Sequence, residues 1–268
     1  MGLLCSAESC PICFLGFIES KAYSVIGHRR HIGSLLIFYL LFLIVLIVPL
    51  ESLSKSLKSM NAVDLYPNDI LFNVMRNNEI IGRHLVSFSQ IENEKFRVLV
   101  RLNLEVKFLL FSVYKFDYKS DAIWLNGELK SLHSTQIDDG EIINVNVFHN
   151  NENLIVKTRD TEISTNLDAI PTNHWNIDVL KKKAVINTLT GEISSVEIAG
   201  LGKEKIKAQG KIIFANKYKY TGDIQVMVWY TDGGNWVKMQ FEGKDGSTIE
   251  YLCVECGLRE TSRLTIGQ

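Results

Sequence analysis

The chain has 268 residues, with 29 Lys and Arg against 30 Asp and Glu, for a formal net charge of −1. That balance argues against a nucleic-acid binder working through a basic surface, so no nucleic-acid partner is expected. With 4 prolines and 10% aromatic residues the composition shows no sign of extended disorder, and the length suits one large β domain or two small domains.

The first 33 residues carry Cys5, Cys10 and Cys13, the last two spaced as Cys10-Pro11-Ile12-Cys13. A lone C-x-x-C is half a zinc site or a redox pair, and no second pair lies near it. A cytoplasmic tail, or a start codon assigned too far upstream, is the simpler account. From Leu35 to Val48 every residue is apolar or Tyr, and the run continues through Pro49 and Leu50. A spanning helix needs about 20 mostly apolar residues, with about 17 the lower limit, so the run sits at that boundary. His28, Arg29, Arg30 and His31 form a basic flank that the positive-inside rule holds in the cytoplasm; Lys55 and Lys58 weaken the asymmetry without reversing it.

Residues 34–52 are therefore expected either to anchor the chain in the membrane or to be the core of a signal peptide cut at a step such as Ser52-Leu53-Ser54. The step lacks alanine and the extension before Arg29 is long, which favours the anchor. The expected location is the inner (cytoplasmic) membrane, with the remainder on the periplasmic or extracytoplasmic side. Cleavage would make it periplasmic or secreted instead. Residues 53–68 read as a linker, 69–253 as an exported β domain and 254–268 as a tail.

From about Ile70 the dominant period is two, the strand signature. Phe96, Val98, Val100, Leu102, Leu104, Val106 and Phe108 alternate with a mostly charged set, and Tyr114, Phe116, Tyr118, Ala122 and Trp124 repeat the pattern against Lys115, Asp117, Lys119 and Asp121. Two long strands in succession, each with one wet face, predict a strongly curved antiparallel sheet. Asn126-Gly127, Asp139-Gly140 and Asp245-Gly246 predict tight hairpins of type I′, and Asp232-Gly233-Gly234 serves the same purpose. The fold class is mainly β: an antiparallel meander forming an open barrel or half-barrel. One segment breaks the pattern. Thr172 or Asn173 can cap a helix in which Ile177 and Leu180 share a side, so a helix of about two turns is expected to cross an end or face of the sheet, ahead of Lys181, Lys182 and Lys183.

Several of these stretches resemble a known family. Pro171-Thr172-Asn173-His174-Trp175-Asn176, then Asn187-Thr188-Leu189-Thr190-Gly191, is similar to an uncharacterised bacterial exported family, domain-of-unknown-function family 6134. So are Trp229-Tyr230-Thr231-Asp232-Gly233-Gly234-Asn235-Trp236, the stretch from Phe241 through Asp245-Gly246-Ser247, and Gly82-Arg83-His84. The resemblance spans roughly Asp69 to Tyr251. It implies no established activity, only a general likeness to exported open β-barrels that cradle lipid or lipoprotein chains.

The chemistry-bearing residues give no catalytic set. His84 and His174, with Asp245 and Ser247, can be written as a triad, yet Asp245-Gly246-Ser247 reads better as a turn and no G-x-S-x-G elbow is present. Cys253-Val254-Glu255-Cys256 has ligand spacing but lacks two further ligands, so a disulfide, two free thiols or a link to a partner are the competing accounts. Gly200-Leu201-Gly202-Lys203 is too short for a phosphate loop and reads as hairpin glycine; no cofactor is expected. Lys181–Lys183 suit a helix C-terminus.

The aromatic residues are the most suggestive feature. Tyr114, Phe116, Tyr118, Trp124, His174, Trp175 and Trp229 are the candidate wall of a groove for a lipid or other apolar ligand, although packing in the core is the favoured account of strand-face aromatics. An exported, membrane-tethered binding domain is the leading expectation. The alternative is an envelope scaffold that pairs with another protein through its sheet edges, and a hydrolase ranks below both.

Overall fold

The structure, a computed structural model, describes residues 62–108 and 111–258, all within one compact unit of the chain, Leu57–Gln268. The apolar stretch 34–52, its basic flank and the Cys10–Cys13 pair lie outside the described residues. Among the described residues no helix is long and apolar enough to cross a membrane.

A single helical turn, α1 (Ala62–Leu65), leads into β1 (Ile70–Arg76), β2 (Glu79–Glu92), β3 (Lys95–Phe108), β4 (Phe111–Leu125), β5 (Glu128–Asp138), β6 (Glu141–His149), β7 (Leu154–Lys157) and β8 (Glu162–Thr165). After a strap, residues 166–183, come β9 (Ala184–Ile186), β10 (Ile193–Ala208), β11 (Lys211–Gly222), β12 (Val226–Tyr230), β13 (Trp236–Glu242) and β14 (Thr248–Glu255). The fourteen strands form one sheet in the order β8-β7-β6-β5-β4-β3-β2-β1-β14-β13-β12-β11-β10-β9. This is the expected antiparallel meander, with one feature the sequence did not announce. The first and last strands pair with each other, Val74 opposite Tyr251, so the sheet's two free edges fall in mid-chain at β8 and β9. The strap joins those edges.

The alternation works as predicted. Phe96 lies opposite Trp124, Val98 opposite Ala122, Val100 opposite Ser120 and Leu102 opposite Tyr118, and all eight are buried. On the other face the pairs are polar: Arg97 makes an ion pair with Asp121, and Asn103 donates to Asp117. Cross-strand pairs of this kind contribute about 0.2–1 kcal/mol each, so the main stabilisation comes from the apolar face.

The turns divide into two kinds. Asn126-Gly127 (φ 54°, 78°) and Asp139-Gly140 (φ 48°, 98°) hold the two successive positive φ angles of a type I′ turn. In the loops at 231–235 and 243–247 only Gly234 and Gly246 have positive φ, so these are longer connections, closed by side chains. Asp245 accepts from the Ser247 hydroxyl at 2.6 Å, and the Thr231 hydroxyl accepts from the Asn235 amide at 3.1 Å. Gly200-Leu201-Gly202 is no hairpin either. It lies inside β10, where the register against β11 slips between Gly200 and Gly202, a bulge that bends the long strand.

The strap also departs from the expected two-turn helix. The Thr172 amide donates to the Ile186 carbonyl at 3.0 Å, and Pro171 bridges Ile186, so the backbone there belongs to the sheet. What remains is a five-residue 3-10 helix, Ile177–Lys181, capped by Asn176, whose side chain accepts from the Asp178 amide at 3.0 Å. Lys181 and Lys182 make ion pairs with Asp178 and Asp168.

Candidate functional site

The strap and the sheet's inner face line a half-open cavity of about 260 Å³. Its apolar wall comes from alternate positions of neighbouring strands: Val86 on β2, Val100 and Leu102 on β3, Phe116 on β4, Met239 and Phe241 on β13. This volume falls just below the roughly 300–1,000 Å³ of most small-molecule sites, which suits one chain or ring better than a whole lipid.

At one end sits an aromatic cluster centred on Trp236. Its ring lies 5.5 Å from His84 and 5.6 Å from His174, and 4.3 Å from Phe72. His84 is carried by β2 and His174 by the strap, so the indole joins the two. Trp236 reaches this face through a bulge. Tyr230 pairs with Trp236 while Trp229 pairs with Lys238, leaving Val237 as the extra residue, and both Trp236 and Val237 are buried.

Two tyrosines fix the strap above the cavity. The Tyr66 hydroxyl donates to the Trp175 carbonyl at 3.0 Å and accepts from the Trp236 amide at 2.9 Å. The Tyr230 hydroxyl donates to the His174 carbonyl at 2.8 Å. Each hydroxyl therefore satisfies backbone that turning away from the sheet would leave unpaired. A second polar group lies on the β4–β5 side. Tyr118 donates to the Thr188 hydroxyl at 2.8 Å, Thr172 lies 3.2 Å from the same oxygen, and Ser134 donates to the Thr188 carbonyl at 2.7 Å.

The electrostatics follow from burial. His84 is pulled down to about 3, by desolvation first and by its neighbour His174 second, and His174 to about 4 by desolvation. Both rings are neutral near pH 7. Burial likewise pushes the Tyr251 and Tyr220 hydroxyls well up from their usual range. The Nδ1 atoms of both histidines, and Nδ2 of Asn173, are buried without a hydrogen-bond partner.

Of the seven residues chosen from sequence, Phe116, Tyr118, His174 and Trp175 meet at the cavity. Trp124 lies behind it, packed edge-on against Trp175 at 5.2 Å. Tyr114 shares the strand face but does not line the cavity. Trp229 is on the opposite side of the sheet, between Lys217 (5.0 Å) and Lys238 (4.9 Å), with its indole N–H on Glu204 at 2.7 Å. Asp245 and Ser247 also lie away from the histidines, where Asp245 is bound to Arg76 and Ser247. Cys253 and Cys256 are joined in a disulfide. Among the described residues no three His, Cys, Asp or Glu side chains gather to hold a metal ion.

Sequence reasoning passed over His84 and Trp236 as wall residues, and Thr188 as a hydrogen-bond hub. One signal was present: Ser134 interrupts the inward apolar phase of β5 and is buried, and its hydroxyl is met by the Thr188 carbonyl. Polar residues at inward positions mark the place where another segment must supply partners.

Among solved structures, the chain is similar to a crystal structure described as a beta-barrel-like protein of domain of unknown function DUF1849 from Brucella abortus. The identity is 10% and the TM-score 0.53, covering 74% of this chain and 99% of that one. At that identity the likeness is one of fold. No curated protein matches the chain. The family model for Domain of unknown function (DUF6134) matches residues 72–254, a stretch that runs from β1 into β14 and holds both histidines, the strap and the cavity wall, and the chain belongs to that family.

Proposed function

We propose that this protein is a membrane-tethered, exported binding domain that holds the apolar part of a lipid or similar amphiphile in the cavity beneath the strap. The observation that carries the reading is the cavity itself. Apolar wall left facing water costs hydrophobic free energy that an apolar ligand filling the space would recover. Here aliphatic and aromatic side chains from β2, β3, β4 and β13 surround open space. The apolar stretch 34–52 supports the membrane tether, and the Cys253–Cys256 disulfide suits an oxidising compartment outside the cytoplasm.

The test is to isolate the protein from the membrane fraction, extract it with organic solvent and identify bound lipids by mass spectrometry. A lipid present at about one per chain supports the reading. Its loss on substituting Leu102→Trp, which fills the cavity, would tie it to this site. A full lipid complement in that variant would place any bound lipid elsewhere.

A second reading, a scaffold that recruits another envelope protein by strand addition, rests on β10. It pairs with β9 only through Ile193–Ser195, so its outer edge beyond the strap is open among the described residues. The bulge at Gly200–Gly202 and the lysines at 203, 205 and 207 blunt that edge, as natural sheets do to prevent pairing. The binding reading therefore ranks first.

A further inference from the structure

The polar groups around the cavity are of two kinds, and the difference between them says what the ligand's polar end must be. Tyr118, Thr172 and Thr188 spend their hydrogen bonds on one another. His84, His174 and Asn173 do not. Among the described residues no hydrogen bond engages either imidazole, and Nδ1 of each is sealed in protein without a partner. A sealed N–H is the costlier orphan, so each ring takes the tautomer that leaves Nδ1 as a bare lone pair and carries its proton on Nε2, the nitrogen left to the cavity. Nδ2 of Asn173, next to His174 on the strap, is sealed in protein like the two Nδ1 atoms and offers nothing to the cavity. At the two imidazoles the cavity thus meets donors that lack an acceptor.

Resting on the binding reading above, we propose that the bound amphiphile carries an acyl group, whose carbonyl or carboxylate oxygen is received by His84 and His174. The hydrocarbon runs along Val100, Leu102, Phe116 and Met239. Both rings flank Trp236, at 5.5 and 5.6 Å, so an oxygen seated over the indole edge comes near either one. The rings are neutral, so they act as hydrogen-bond donors and not as a fixed positive charge. This admits two sources of the same chemistry, a free fatty acid and the ester-linked acyl chain of a lipid, and disfavours a cationic head.

The test uses the full-length chain in its membrane and three photoactivatable diazirine probes of equal chain length: a C12 carboxylic acid, its methyl ester, and the alkyl chain with no carbonyl. Labelled peptides are mapped by mass spectrometry. The acid, the ester or both should label the segments around residues 84–102 and 236–241 about ten-fold more than the alkyl probe, the worth of a buried hydrogen bond. Which of the two does so identifies the source. His84→Phe with His174→Phe should remove the preference and leave labelling at the alkyl level, whereas His84→Gln with His174→Gln, which keeps an N–H at each place, should retain part of it. If the Phe pair does not fold, His174→Phe alone tests the same preference. Equal labelling by all three probes overturns the acyl proposal and leaves the apolar cavity standing. Absence of labelling by any probe overturns both.

Discussion

Trp229 and Trp236 belong to the same hairpin, are equally buried at 1% exposure, and live in opposite surroundings. Trp236 faces inward among Phe72, His84, His174 and Tyr251, where its neighbours are rigid rings and its amide is held by Tyr66. Trp229 faces outward and owes its burial to two lysines that lie across it, in register from β11 and β13. Lysine covers an apolar ring with its methylenes while its ammonium stays in water. Burial alone therefore does not tell a cavity wall from a surface that charged chains have roofed over. What separates the two tryptophans is the partner that covers each.

The contrast between the two tryptophans is largest in the energy each contributes to the fold. Replacing Trp236→Ala removes the ring that joins β2, β13 and the strap, and should cost about 3–5 kcal/mol in urea unfolding, the range for a large aromatic in a core that cannot collapse. Trp229→Ala should cost less, about 1–2 kcal/mol, because the flexible lysines can settle into the space. Equal losses would mean that the inner cluster has no special place in the fold.

The histidines give the next largest effect, through pH. Their folded values, about 3 for His84 and about 4 for His174, lie below the ordinary 6.5. Between those limits the unfolded chain binds more protons than the folded one, so stability is full above about pH 7 and falls as the pH drops toward 4. The loss should be on the order of a few kcal/mol across that window. Asp121, Asp168, Asp232 and Asp245 are held below the usual carboxylate range by their cationic or hydroxyl partners, and they add their loss only below about pH 4. Urea midpoints measured from pH 7 to 4.5 isolate the histidines. A flat profile there would show that the rings meet water in the folded state, whereas His84→Phe with His174→Phe should flatten the profile by design.

The sheet was legible because its signal is local. Alternation in β3 and β4 and the paired positive-φ turns at Asn126 and Asp139 each follow from a few adjacent residues. The site was legible in half. Phe116 and Tyr118 follow from strand phase, and His174 and Trp175 from the break in it. Trp236 did not follow, because the phase set by Met239 and Phe241 sends position 236 to the outer face, and only the bulge at Val237 returns it. Trp229 was misplaced by the same logic: an aromatic residue beside Tyr230 reads as wall until the register assigns it to the other side. The pairing of β1 with β14 was hidden too, since nothing at short range records a contact across the whole domain.

Tyr66→Phe probes the hold of the inner cluster on the strap. It keeps the ring's stacking on Phe88 at 5.1 Å and removes only the hydroxyl, leaving the Trp175 carbonyl and the Trp236 amide without their partner. A buried group left unsatisfied costs about 1–3 kcal/mol. Amide hydrogen exchange should speed up at Trp236 ahead of the β3–β4 pairs, because the hydroxyl links the strap to β13 alone. Uniform acceleration through the sheet would instead make Tyr66 a general core residue.

The smallest effect is expected on the outer side. Lys217→Met keeps a long flexible chain over the Trp229 indole and removes only the ammonium, together with its 3.6 Å contact to Glu204. One exposed cation–π contact is worth about 0.5–1 kcal/mol, and a loose surface ion pair adds little. The variant should therefore lose no more than about 1 kcal/mol in urea unfolding, and that loss should shrink in high salt. Lipid content should stay unchanged, since Trp229 and the cavity lie on opposite faces. A drop in bound lipid would contradict that separation, and would mean that the two faces of the sheet are coupled through β12, where Val228 lines the inner side and Trp229 the outer.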